Sequence, residues 1–322
     1  MRSDSASLII ESYLAPDKRR VAVSDIVRML EPFTKGLHVT DDPLLGRHSW
    51  IHLEKHTTEM LARRMEVEGY FQFSPPRSAW SKTPFEEMRN VVDRLNEAGI
   101  PPVFAFICDE FWLAYWKLQQ VVKAAFSGED YFLLPDFWVW HVQAREGDAG
   151  WAIHRDLGSR SLLPDRNAGA VSVWIPLTPV DSTTGCMMLL PKNRDEAYGS
   201  DLVSQTTFDV RDIRALFGDT GDVMVWSQGI MHWGGRGSSF ADRPRVSMSM
   251  GMQLCRLMPF NSPLLKPDVL PSIGLRLEMI AKQLLQYQQV GKISSAWHHF
   301  ARVLLASGLS GLTYDLPIEW QL

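Results

Sequence analysis

His154-Arg155-Asp156 places a histidine and a carboxylate two positions apart. In an extended segment, residues i and i+2 face the same side, so an imidazole nitrogen and a carboxylate oxygen could meet on one cation. Alone the triplet says little, because a chain with 9 His and 37 Asp+Glu yields about one His-x-acid match by chance. A second match, His52-Leu53-Glu54, falls in a stretch read as helical, where i and i+2 diverge by about 200°. His232 supplies the context that the first match needs. It follows the turn Gly221-Asp222, the strand Val223–Trp226 and a short loop, and so stands near the end of a later strand. Two nitrogens and one oxygen on one face leave coordination positions open, an arrangement suited to non-heme Fe(II).

The segment Arg245–Gln253 alternates without interruption. Val246, Met248, Met250 and Met252 form a face fit for a core, and Arg245, Ser247, Ser249, Gly251 and Gln253 form the other. If that second face lines an interior, its guanidinium needs an anionic partner, which a dicarboxylate can supply through a bidentate fork. Arg243 competes for that role, but Pro244 separates it from the strand and puts it in the turn. On an earlier strand, Gln143 shares a face with His141, opposite Trp138 and Trp140. If the Gln143 face looks inward, Gln143 could touch a cosubstrate or substrate; the segment Phe137–Trp140 could line a substrate pocket, but its spacing reads better as core.

Other motifs lack parts that their chemistry requires. His154-Arg155-Asp156-Leu157 matches the start of a protein-kinase catalytic loop, yet Ser161 stands where that loop needs asparagine, and no Asp-Phe-Gly follows. His48, His52 and His56 would stack along one helix, but three histidines in line cannot reach one ion. The glycine-rich run from Gly234 lacks the Gly-Lys-Ser/Thr ending of a phosphate loop.

The elements that must carry these residues divide the chain by texture. Up to about residue 125 it reads helical, with stretches at 50–66, 84–98 and 109–125 and a short aromatic strand at 69–73. From 130 to 255 the period changes to two, with strands near 138–142, 171–177, 186–191, 223–226 and 245–253, the pattern of an all-β sandwich or barrel. Helical periodicity returns at 272–289 and 294–306. No repeat or linker divides the chain, so residues 1–322 read as a single catalytic domain, with a helical region 1–129, a β core 130–255 and C-terminal helices 256–322. The chain is 45% hydrophobic and 22% charged with a net charge of −4, which gives no basic footprint for nucleic acid or an anionic membrane. Cys108, Cys186 and Cys255 are too few and too scattered for a disulfide framework. With no secretory leader in the opening residues and no long apolar run, the expected compartment is cytoplasmic.

His154-x-Asp156, His232 and Arg245-x-Ser247, in this order on strands, resemble the iron/2-oxoglutarate dioxygenases, and more narrowly their phytanoyl-CoA dioxygenase-like branch. Trp174-Ile175-Pro176-Leu177, Thr184-Gly185-Cys186-Met187 and Leu190-Pro191 resemble the strand-turn-strand that follows the iron motif there. Lys192-Asn193-Arg194 departs from that branch, which usually has Gly-Ser-His. The resemblance covers about 130–255, with a weaker echo at Glu68–Phe71, and implies a double-stranded β-helix (jelly-roll, cupin-like) core. It also implies Fe(II) on His154, Asp156 and His232, and O2 and 2-oxoglutarate as cosubstrates. Arg245 would anchor the 2-oxoglutarate, with Ser247, Gln143 and Trp174 as further cofactor-binding residues. Relatives that halogenate carry a small residue in place of the carboxylate, so Asp156 points to oxygen chemistry. The expected reaction is hydroxylation of a small molecule, or its desaturation or cyclisation, with release of succinate and CO2. The competing readings are a non-catalytic barrel that binds a metal and a small ligand, and a zinc-dependent cupin-like enzyme.

Overall fold

Alternation builds the centre of the larger of two sheets, because every second residue of the strands at 170–176, 223–227 and 245–254 is an aliphatic or methionine side chain. The computed structural model describes residues 20–41, 50–200, 207–288 and 293–312. The amino terminus read for a leader and His48 lie outside the described residues. Strands β1 (Tyr70–Phe73), β2 (Tyr131–Val142), β3 (Ala170–Pro176), β6 (Val223–Ser227) and β8 (Arg245–Leu254) pair antiparallel in the order β1-β6-β3-β8-β2. Strands β4 (Met187–Leu190), β5 (Arg214–Leu216) and β7 (Met231–Gly234) form a second antiparallel sheet in the order β5-β4-β7. Of sandwich and barrel, the chain adopts the sandwich: the two sheets face each other without closing.

The larger sheet has two different faces. Outward, Val171, Val173, Val225, Met248 and Met250 are buried under helices. Inward, Trp174, Met224 and Trp226 meet Met187, Leu189 and Leu216 of the smaller sheet. The helices that cover the outer face come from both ends of the chain. They are α1 (Val23–Leu30), α2 (Lys55–Glu68), α3 (Phe85–Glu97), α4 (Asp109–Trp116), α5 (Gln119–Ala125), α6 (Ile273–Gln286) and α7 (Ser295–Ala306). In α3, Met88, Val91, Val92 and Leu95 recur at spacings of three and four and are all buried. Gly69 ends α2 in the left-handed conformation, φ 75°, and turns the chain into β1. No helix among the described residues is long and apolar enough to cross a membrane.

Two readings change. The stretch 109–125 is two helices, because Ile51 N–H takes the Lys117 carbonyl (2.9 Å) at the break. His52-Leu53-Glu54 is not helical: α2 begins at Lys55, and Ile51 and Leu53 dock in extended form on Lys117 and Gln120. His52 and Glu54 are exposed and join no metal-capable group among the described residues, while His56 lies inside α2.

One buried ion pair ties the two ends of the chain together. Arg276 of α6 and Asp109 at the start of α4 are both fully buried, with Nη1 2.5 Å from Oδ1. The same guanidinium donates to the carbonyls of Pro271 (2.7 Å), Ile107 (2.7 Å) and Thr40 (2.8 Å). Removing one partner of such a pair leaves a buried charge uncompensated. Arg276→Met should therefore cost about 3–5 kcal/mol, read as a lower midpoint in urea unfolding.

Candidate active site

The site begins as a piece of backbone pairing. His154 N–H donates to the His232 carbonyl (3.0 Å) and His232 N–H donates back to His154 (2.9 Å), which adds His154 to the edge of the smaller sheet beside β7. A directly opposed pair points its side chains to one side, and here the two imidazole centres lie 4.3 Å apart. Asp156, two residues on, faces the same way. Its Oδ1 is 3.3 Å from His154 Nε2 and 3.6 Å from His232 Nε2. Arg155, between them, points the other way and is buried against Asp195 (2.7 Å) and the Gly229 carbonyl (2.8 Å), so it pins the segment from behind.

Proton positions follow from the partners. Nδ1 of His154 lies 2.7 Å from the Ala152 carbonyl and Nδ1 of His232 lies 3.2 Å from the Ile230 carbonyl. A carbonyl only accepts, so each neutral ring keeps its proton on Nδ1 and turns an Nε2 lone pair toward Asp156. The carboxylate is held from the other side by the Ser172 hydroxyl, which donates to Oδ2 at 2.6 Å. Gln228 supports Ser172 in turn, its amide nitrogen 3.2 Å from that hydroxyl. Burial opposes charge throughout. It pushes His232 down to about 4, whereas at His154 the Asp156 carboxylate more than offsets it and holds the ring above its usual value. The Asp156 carboxyl is also buried, but His232 and His154 outweigh that and hold it well below the carboxylate range. Among the described residues His154 Nε2 is buried with no hydrogen bond, and three acceptor atoms, one from each residue, lie within 4.8 Å of one another. A divalent cation fits this donor set, two nitrogens and one oxygen, with positions left open.

These three residues line a cavity of about 150 Å³ that Trp174 and Arg245 also line. Arg245 is 2% exposed, and among the described residues no carboxylate lies within ion-pair distance of it. Its Nε has no partner and its nearest hydrogen-bonding atom is Met187 Sδ, at 3.6 Å from Nη1. Burial lowers its pKa to about 10, with weak opposition from Cys186 and Asp148. Two glycines make room for it: a Cβ on Gly150 would stand 2.6 Å from Nη2, and one on Gly234 would stand 3.0 Å away.

The other expected residues divide. Trp174 lines the cavity. Ser247 lies between Arg245 and Ser249 on the inner face, fully buried, its hydroxyl unpartnered. Gln143 lies outside the cavity. It is exposed just past the end of β2, with its amide nitrogen 3.3 Å from His141 Nδ1, and His141 backs onto Asp93 of α3 (3.1 Å). The inward face of β2 is the other one, so Trp138 and Trp140 are cavity wall.

The model of the phytanoyl-CoA dioxygenase family matches residues 54–245, which span both histidines, Asp156 and Arg245. The chain belongs to the phytanoyl-CoA dioxygenase family. It is accordingly a non-heme iron dioxygenase that uses 2-oxoglutarate and O2 as cosubstrates. Several solved structures are similar to this member of the family. The non-heme monooxygenase ThoJ, in a nickel complex, is 16% identical over 71% of this chain and 97% of its own, with a TM-score of 0.50. The non-heme alpha ketoglutarate dependent epimerase SnoN from nogalamycin biosynthesis shares 18% identity over 67% of this chain and 85% of its own, at a TM-score of 0.47. EctD from S. alaskensis shares 15% over 70% and 89%, at 0.44. No curated protein matches the sequence significantly.

In this dioxygenase several residues of the site carry no sequence signal of their own. Ser172 is one of many serines, and only the register Ser172↔Trp226 on β3 and β6 turns it inward to Asp156. Trp151 (5.8 Å from the His154 ring) and Tyr287, one residue past α6, join the wall from distant segments. Partners that orient metal ligands typically contribute ten- to a hundredfold in metal affinity. Ser172→Ala should weaken Fe(II) retention about tenfold in a chelator competition, with the fold intact by circular dichroism.

Proposed function

We propose that His154, Asp156 and His232 hold the ferrous ion, and that Arg245 fixes 2-oxoglutarate by its far carboxylate. The observation that carries this reading is one cavity with three acceptors lacking a donor and one guanidinium lacking an anion. A metal and a dicarboxylate satisfy both at once, whereas a purely structural metal gives no reason to bury Arg245. Ser247, with its unpartnered hydroxyl beside Arg245, assists the anchor, and Trp174 packs along the cosubstrate. With the cofactors bound, the centre supplies an oxidant that removes hydrogen from a substrate C–H bond, and succinate and CO2 are released. The protein's own part is to orient the ligands, neutralise the dicarboxylate and keep water out. Hydroxylation of a small molecule is the expected outcome, with desaturation or cyclisation as variants of it. The chain acts as a single catalytic domain, and its unbridged cysteines suit a reducing, cytoplasmic setting.

The test is anaerobic addition of Fe(II) and then 2-oxoglutarate to the metal-free protein, followed by visible absorption. A charge-transfer band that requires both additions supports the reading. A band that never forms, with zinc retained through purification, would replace it with a zinc or binding role. In Arg245→Ala, losing the anchor of a buried carboxylate should cost about 2–5 kcal/mol, a thirtyfold or greater rise in the 2-oxoglutarate Kd, while iron content holds. Unchanged cosubstrate affinity would remove Arg245 from the site.

A further inference from the structure

The cavity carries two further acceptors, the Asp136 carboxylate and the Gln228 amide oxygen, that hold neither metal nor 2-oxoglutarate in the reading above. Strand β2 pairs with β8 in register at Leu133↔Met252 and again at Phe137↔Met250, so Leu134, Pro135 and Asp136 stand opposite Gly251 alone. Such a bulge leaves backbone groups outside the ladder and re-aims a side chain. Here Gln283 of α6 serves the freed backbone: its amide nitrogen donates to the Pro135 carbonyl, and its oxygen accepts from Phe137 N–H at 3.0 Å. The side chain that the bulge turns into the cavity is Asp136.

Asp136, half-buried in the cavity wall, differs from the buried aspartates. Asp109 meets Arg276 at 2.5 Å and Asp195 meets Arg155 at 2.7 Å. Asp136 instead accepts from two neutral amides on one oxygen, Gln286 Nε2 at 2.6 Å and Asn261 Nδ2 at 2.9 Å, and has no ion pair among the described residues. Lys282 favours its charge from behind Asn261, where the ammonium bonds Asn261 Oδ1 at 3.3 Å and the Ser262 carbonyl. Burial raises the Asp136 carboxyl above its usual value despite these partners, a sign that the charge is incompletely compensated.

Gln228 is the second acceptor. It is 3% exposed and lines the same cavity. Its amide nitrogen faces Ser172 Oγ (3.2 Å) and the Val171 carbonyl (3.5 Å), and a carbonyl only accepts, so the amide is oriented. Its Oε1 is buried without a partner. Asp136 and Gln228 flank Gly251: a Cβ there would lie 2.9 Å from Gln228 Nε2 and 3.3 Å from Asp136 Cβ. A carboxylate and an amide oxygen with no partner among the described residues, lining one cavity, ask for a ligand that only donates. Around them the wall is aromatic, with Trp138, Trp151 and Tyr287 in mutual contact at 4.5–5.9 Å between ring centres. An ammonium offers three donors, no acceptor and a positive charge that aromatic rings attract.

We propose that the substrate of this oxygenase is a small primary amine, its ammonium held by Asp136 and Gln228 beside Trp138, Trp151 and Tyr287. This rests on the reading that the iron ligands and Arg245 form the catalytic half of the same cavity. The amine end then sets which C–H bond reaches the iron, so Asp136 is a specificity-determining residue.

The test uses three probes of one shape: benzylamine, benzyl alcohol and benzoate. Each is titrated anaerobically into the iron- and 2-oxoglutarate-loaded protein and followed by tryptophan fluorescence. Benzylamine should bind about tenfold or more tightly than benzyl alcohol near neutral pH, with benzoate weakest. Asp136→Asn should erase the preference while the iron–2-oxoglutarate absorption band still forms. Equal binding of amine and alcohol, tighter binding of benzoate, or no binding of any probe would overturn the proposal. So would a preference that survives in Asp136→Asn. Should that variant fail to fold, the comparison on the unmutated protein decides. If the absorption band never forms, the cofactor reading fails by itself. The same titration on metal-free protein then still judges the amine site, whose acceptors are in place without metal.

Discussion

Three lone pairs crowded into one small space set the terms for the rest of this structure. His154, His232 and Asp156 turn acceptors toward one another because their other polar atoms are committed to Ala152, Ile230 and Ser172. The arrangement is costly without a cation, and the fold maintains it by means away from the site. Reciprocal backbone bonds between the two histidines fix their spacing, and Arg155, buried on the reverse side against Asp195, keeps the segment from rotating. Hydrogen bonds and an ion pair within the protein thus fix the orientation of all three side chains.

The same logic governs Arg245. A guanidinium buried among Met187, Gly150 and Gly234 is an unbalanced charge that an incoming dicarboxylate balances. The histidines and Arg245 share one cavity and are held by different sheets, the histidines on the smaller and Arg245 on the larger. The separation between the sheets therefore sets the separation between the His154–Asp156–His232 cluster and the guanidinium. The apolar contacts of Trp174, Met224 and Trp226 with Met187 and Leu189 maintain that distance.

How far the site is legible in sequence depends on whether a residue's role follows from local periodicity. His154 and Asp156 are legible because extended backbone always points i and i+2 together, and Arg245 because an alternating strand has one methionine face and one polar face. The β core and the flanking helices follow for the same reason. Periodicity separates the faces of a strand but does not say which one looks inward. On β2 the tryptophans resemble core and Gln143 resembles a site residue, yet the cavity has an aromatic wall and His141 is covered by Asp93. The bulge at Leu134–Asp136 and the partnership of Ser172 with Asp156 depend on register between strands distant in sequence, which no local pattern carries. His52-Leu53-Glu54 shows the converse error. Helical periodicity extends a few residues too far toward the N-terminus, where docking on Lys117 and Gln120 holds the backbone extended.

The bulge on β2 also separates two kinds of change over evolutionary time. His232 and Arg245 sit on ladder positions, where any shift in register would move every side chain of the strand. Asp136 sits on chain excluded from the ladder and is supported by Gln283 and Gln286 near the end of a helix. Insertions and replacements there leave the paired strands untouched. With Asp136 in the substrate role proposed for it, the half of the cavity that chooses a substrate would be free to drift while the paired strands stay constrained, a division of labour through which one scaffold can acquire new substrates without relearning its reaction.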